Sequence, residues 1–70
     1  MINDLAVSLN NALDQGDFQG WAVACARLDW ACHTQKLAPT VTLKSPSHEW
    51  DRLNPHWVAL RITLEKIQKG

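Results

Sequence analysis

The sequence predicts an all-α fold. It is a small three-helix bundle, an antiparallel helix hairpin followed by a third helix that Pro55 kinks or splits. Three observations carry this. Phe18, Trp21, Cys25, Leu28 and Cys32 recur at spacings of three and four, which is one stripe of a helix. Trp50, Leu53, Trp57, Leu60, Leu64 and Ile67 repeat that pattern over the C-terminal third. Between them only residues 40–43, TVTL, alternate as a strand does, and one short strand has no partner within the chain.

Helix one is expected over about residues 3–15. Asn3 or Asp4 can cap its start, and Ile2, Leu5, Leu9 and Leu13 form a narrow apolar stripe. Asn10, Asn11 and Asp14 lie off that stripe. Gly16 suits the left-handed position that ends a helix, and Asp17 is a good N-cap for the next. So short a connection predicts an antiparallel hairpin.

Helix two is expected over about residues 17–37. Besides its first stripe it carries a second, Val23, Ala26, Trp30, His33 and Leu37, again spaced three and four. At about 100° per residue the two stripes lie roughly 140° apart, so this helix is apolar on two faces. A row of small residues, Gly20, Ala24 and Ala31, would let another backbone approach. Pro39 disfavours helical geometry in the residue before it, so the helix should stop near Leu37 or Ala38.

The run Leu13 to Ala26, LDQGDFQGWAVACA, resembles the turn between the two helices of a tetratricopeptide-type unit. There a Gly-Asp-aromatic turn opens the second helix, as Gly16-Asp17-Phe18 does here. The resemblance covers about a fifth of the chain, departs at Trp21 where a small residue is usual, and is not followed by a second repeat. A lone unit cannot bury its faces. The resemblance therefore implies a shared way of turning between helices.

Residues 39–47, PTVTLKSPS, should be extended and cross the bundle with Val41 and Leu43 tucked in. Ser47 then caps a third helix over about 48–69, with Glu49 in its first turn. Pro55 lacks an N–H and clashes with the preceding turn, while Asn54-Pro55 could serve as a fresh cap and first helical residue. Arg61–Glu65 and Glu65–Lys69 are spaced as solvated (i, i+4) pairs. The expected core is Leu5, Leu9, Leu13, Phe18, Trp21, Cys25, Leu28, Trp50, Leu53, Trp57, Leu60 and Leu64.

The composition, 46% hydrophobic and 20% charged, is that of one globular domain and not of a disordered chain. Seventy residues bury only about 60% of their unfolded surface, but four Trp supply large apolar area. No apolar run approaches a membrane span of about 18 residues. The N-terminus lacks a basic region and holds Asp4 in its apolar run, unlike a secretory signal. Cys25 and Cys32, about 10 Å apart along one helix, exceed the roughly 7 Å reach of a disulfide. Two buried thiols fit a reduced, cytoplasmic protein.

The chemistry-bearing residues form no catalytic or metal-binding pattern. Cys25 and Cys32 are too far apart to share a zinc ion. Asp29 and His33 could orient a triad, but no nucleophile accompanies them; a surface hydrogen bond suits them better. No Gly-rich phosphate loop is present. The expectation is a non-enzyme without cofactor or small-molecule substrate.

Charge is uneven. Residues 1–35 hold four carboxylates against Arg27, a net of −3, and residues 36–70 hold six cations against three carboxylates, a net of +3. A basic C-terminal helix makes a nucleic-acid-binding accessory protein the runner-up function. Against it, Trp50 and Trp57 fall on the core stripe, which removes them as stacking platforms, and a pI near 6.8 is far from basic. The preferred reading is a small regulatory or adaptor module that binds a larger protein, or a second copy of itself, through surplus apolar surface. The second stripe of helix two supplies Val23, Ala26, Trp30, His33 and Leu37. Val58 and Ile62, off the main stripe of helix three, complete the expected partner-binding residues. Trp is the residue most typical of interface hot spots.

Overall fold

The Gly16-Asp17 turn sets the first half of the architecture. In the computed structural model, which describes residues 1–69, α1 spans Ile2–Asp14 and α2 spans Phe18–Gln35. Gly16 takes φ +70°, the left-handed geometry that glycine adopts without strain. Its N–H bonds the Leu13 carbonyl at 3.2 Å and the Asp17 N–H bonds the Ala12 carbonyl at 2.9 Å. These two bonds close α1 as a Schellman motif. Asp17 then caps α2, its carboxylate accepting the Gly20 N–H at 3.0 Å. A Cβ on Gly20 would overlap that carboxylate, so the glycine serves the cap.

α2 is the central element, with α1 packed on one flank and α4 (Pro55–Lys69) on the other. α1 lies along the small-residue row, where Gly20, Ala24 and Ala31 share grooves with Met1, Leu5 and Ser8. Its start differs from expectation. Met1 occupies the cap position without a side-chain bond, and Asn3 is used elsewhere.

α2 also ends earlier than its pattern suggests. Lys36 adopts left-handed φ 56° and stops the helix, leaving Leu37 outside it. The chain must reverse here, ahead of Pro39, to run back along α1. That return is the extended connection, and two asparagines of α1 receive it. Asn3 Oδ1 accepts the Thr40 N–H at 2.9 Å, and Asn3 Nδ2 donates to the Thr40 hydroxyl at 3.0 Å. Seven residues on, Asn10 Nδ2 donates to the Thr42 carbonyl at 2.9 Å and its Oδ1 accepts the Lys44 N–H at 2.9 Å. The Lys44 ammonium meets Asp14. Val41 and Leu43 pack against the core as expected, while Thr40 and Thr42 face water. Asn10, placed off the apolar stripe by its sequence, is buried for this purpose.

Pro55 splits the third helix. α3 spans His48–Leu53 and is capped by the Ser47 hydroxyl, which accepts the Trp50 N–H at 3.3 Å. Asn54 breaks the helix with extended backbone and caps α4: its Oδ1 accepts the His56 N–H at 3.0 Å. The break rotates the stripe. Asn54 is fully buried and Leu53, expected in the core, is exposed. A continuous helix would have kept Leu53 in phase with Trp57. Arg61 pairs with Asp51 of α3 at 3.2 Å, not with Glu65, and so ties the two pieces together.

The core holds Ala6, Leu9, Trp21, Cys25, Leu28, Cys32, Trp57 and Leu60, with Leu5, Leu13, Phe18, Trp50 and Leu64 partly buried around it. Trp21 is its centre. It stacks on Trp50 at 5.5 Å and meets Trp57 at 5.7 Å and Phe18 at 5.8 Å, while Phe18 meets Trp50 edge-on at 5.0 Å. Such pairs contribute about 0.5–1.5 kcal/mol each beyond area burial. The dispersed pattern of stability follows. Asn10→Ala removes both bonds to a part-buried backbone and should cost about 1–3 kcal/mol in urea denaturation. Leu60→Ala should cost about 2–5 kcal/mol, and Leu53→Ala should stay within about 0.5 kcal/mol of the parent.

Candidate functional site

With α1 and α4 on its flanks, α2 keeps one side uncovered. Val23, Ala26, Trp30 and His33 lie within about 80° of one another around its axis. Trp30 is 68% exposed and Val23 45% exposed, whereas Trp21, Cys25 and Leu28 on the opposite side are fully buried. The connection runs along α1 from Thr40 to Lys44 and leaves Trp30 open to water. Contiguous apolar surface left in water by a completed core is a candidate interaction surface.

Two grooves run beside this ridge on the α1 flank. The first, about 430 Å³, is lined by Met1, Leu5, Ala26, Arg27, Trp30 and Ala31. The second continues from Leu5 and Arg27 past Ser8 and Val23 to Gly20 and Asp17. Shared walls make them one valley. From Gly20 to Ala31 it measures about 16 Å along α2, three helical turns. Arg27 borders both grooves and has no ion-pair partner among the described residues. The opposite flank, towards α4, is a third groove lined by His33, Lys36, Thr63, Lys66 and Ile67.

The structure brings some of the expected partner-binding residues together and separates others. Val23, Ala26 and Trp30 share the ridge, with His33 at its α4 edge. Leu37, beyond the helix end, is 57% exposed and lines a different hollow with Ile2 and Ala38. Met1 borders both that hollow and the Trp30 groove, and so links the two. Val58 and Ile62 are exposed but stand apart. α4 faces α2 through Leu60, Thr63 and Ile67, and at about 100° per residue Val58 and Ile62 fall on its other side. Sequence reasoning missed Met1, Leu5 and Arg27. A second row on α1, Met1, Leu5, Ser8 and Ala12, spaced four, three and four, was the signal for that wall.

The polar chemistry around the ridge is structural. Asp29 accepts the Thr63 hydroxyl and pins α2 to α4, in place of the expected bond to His33. The Thr34 hydroxyl donates back to the Trp30 carbonyl at 2.6 Å. Among the described residues no three His, Cys, Asp or Glu side chains converge on a point. No helix is long and apolar enough to cross a membrane. Both cysteines are free and buried. Burial pushes the Cys25 thiol up to about 12, and the neighbouring Asn54 side chain opposes that shift. Burial likewise raises Cys32, helped by the Asp29 carboxylate. Neither thiol is a nucleophile in the folded state.

Comparison with known protein families, with characterised proteins and with solved structures finds no match for the chain.

The cysteines make stability depend on alkali. Above about pH 9 the unfolded chain loses the Cys25 proton, while the fold retains it until about 12. The folded state then holds more protons than the unfolded one, so stability falls as pH climbs through that window. Denaturation midpoints measured from pH 8 to 11 should decline, and the decline should be shallower in Cys25→Ala.

Proposed function

We propose that this protein is a small regulatory or adaptor module that docks onto a larger protein through the uncovered side of α2, acting by occlusion and without catalysis. The observation that carries the reading is Trp30. After Met1 it is the most exposed large hydrophobic side chain among the described residues, and it stands beside an apolar groove built by two helices. Trp anchors of this kind dominate interface energetics when a partner desolvates them. Nothing inside the fold needs Trp30: its side chain forms no hydrogen bond, and the aromatic cluster is complete without it. Two free buried thiols suit a reducing compartment, and we assign the protein to the cytoplasm on that ground.

The reading is tested by a photo-crosslinking benzoylphenylalanine placed at position 30 and, as a control, at position 58. Irradiation in extract of the source cells should give one discrete adduct from position 30, identified by mass spectrometry as another protein, and none from position 58. Equal labelling from both positions, or none from position 30, overturns the docking role. Trp30→Ala should unfold within about 0.5 kcal/mol of the parent, so a lost interaction in that variant cannot be charged to misfolding.

A further inference from the structure

α3 is tied to the rest of the fold by little. On its N-terminal side the last tether is Lys44, which meets Asn10 and Asp14. On its C-terminal side Asn54 is fully buried. Among the described residues, the segment 45–53 between them makes one polar contact with another element, Asp51 with Arg61, and both of those side chains are partly in water. So exposed a pair contributes little. The other hydrogen bonds of the segment are local, from the Trp50 N–H to the Ser47 hydroxyl and from the Asp51 N–H to the Ser47 carbonyl. Trp50 alone seats α3 on the aromatic cluster, and it is only partly buried. Asn54, with extended backbone ahead of Pro55, is a break already made at one end.

We infer that residues 45–53 form a lid that swings about Asn54 and lifts off the α1–α2–α4 framework as a unit, uncovering Trp21 and making Cys25 a modification site for small thiol-reactive electrophiles. Trp50 covers Trp21, and one helical turn further along α2 the Asn54 amide lies beside the Cys25 thiol. Trp21, Cys25 and Asn54 are all fully buried while the lid is closed. The framework stands without it: α1 and α4 each pack on α2 directly, and the asparagine tethers of the connection end at Lys44. Pivoting at Asn54 draws its amide off the sulfur. The uncovered thiol then gives its proton to water, and its thiolate attacks an electrophilic carbon, forming a C–S bond as the leaving group departs with its electron pair. In the closed state the sulfur has no exposed surface, so an attached group keeps the lid from seating. Modification thus makes a transient opening a lasting one.

Cys32 is an internal control. It lies on the same helix two turns beyond Cys25, about 10 Å along the axis. It is just as buried, and its charged neighbour is Asp29. Burial in the closed fold treats the two thiols alike. A partial opening tells them apart, because it uncovers one end of α2 at a lower free energy than global unfolding.

The test uses the full, unsubstituted chain and iodoacetamide, which leaves as iodide. Pulses of reagent are given across a urea series below the unfolding midpoint. Tryptic cleavage after Arg27 puts the two cysteines on separate peptides for mass spectrometry. Without urea, Cys25 should be alkylated roughly tenfold or more faster than Cys32. Its rate should climb shallowly with urea, whereas that of Cys32 should climb with the full slope of global unfolding. Two variants locate the opening. Ser47→Ala weakens the closed lid and should speed Cys25 by about fivefold. Asn10→Ala loosens the framework that the closed and open states share, so it should speed Cys32 and leave Cys25 unchanged. In protein alkylated at Cys25 alone, the amides of residues 48–53 should lose protection from deuterium exchange while those of 21–28 keep theirs. Equal rates or equal urea slopes for the two thiols overturn the lid. So does a Cys25 rate indifferent to Ser47→Ala, or loss of protection throughout the alkylated chain.

Discussion

The stack of Trp50 on Trp21 is the contact on which the second half of this fold depends. α3 has six residues, too few to persist as a helix by itself, and none of its side chains is fully buried. What holds it is one indole laid against another 5.5 Å away, with Phe18 meeting both edge-on. Trp21 belongs to α2, Trp50 to α3 and Trp57 to α4. One cluster thus fixes three elements, and the Arg61–Asp51 pair adds a clamp at the surface. Dense aromatic packing in a chain of 70 residues has a cost. The buried Trp21 indole N–H finds no acceptor among the described residues. An orphan donor of that kind costs about 1–3 kcal/mol, which the area buried by the cluster must exceed.

Burial elsewhere is achieved by treating polar groups as connectors. Asn3 and Asn10 stand two helical turns apart on α1 and supply both a donor and an acceptor to the returning chain, as the edge of a sheet would. They allow an irregular segment to lie against a helix with its backbone partly paired. Asn54 plays the corresponding part at the break before Pro55. Its carbonyl oxygen caps α4, and its buried amide group lies beside the Cys25 thiol.

These choices leave α2 with one face spent on the core and the other in water. A helix flanked on both sides in a chain this small cannot also be covered above and below, since only one connection remains and it follows α1. Exposure of Trp30 is thus a consequence of topology. Arg27, Lys36 and Lys66 likewise form no ion pair among the described residues.

Much of this was legible in the residues alone. The all-helical class, the Gly16-Asp17 turn, the Ser47 cap and the two apolar faces of α2 follow from spacing and from local backbone chemistry, which act over one or two turns; whether Pro55 kinks or splits the last helix did not. Position in the core followed for Leu9, Trp21, Cys25, Leu28, Trp57 and Leu60 for the same reason. The failures share a cause. Leu53 and Asn54 exchanged places because a single broken turn rotates everything before it. Asn10 looked like a surface residue because its partners, Thr42 and Lys44, are distant in sequence and near only after the chain returns. Val58 and Ile62 were grouped with Trp30 by hydrophobicity, and the orientation of α4 on α2 separated them. Periodicity determines which side of a helix is apolar. Only the packing of the helices decides which apolar sides meet, which charges are consumed, and which remain facing water.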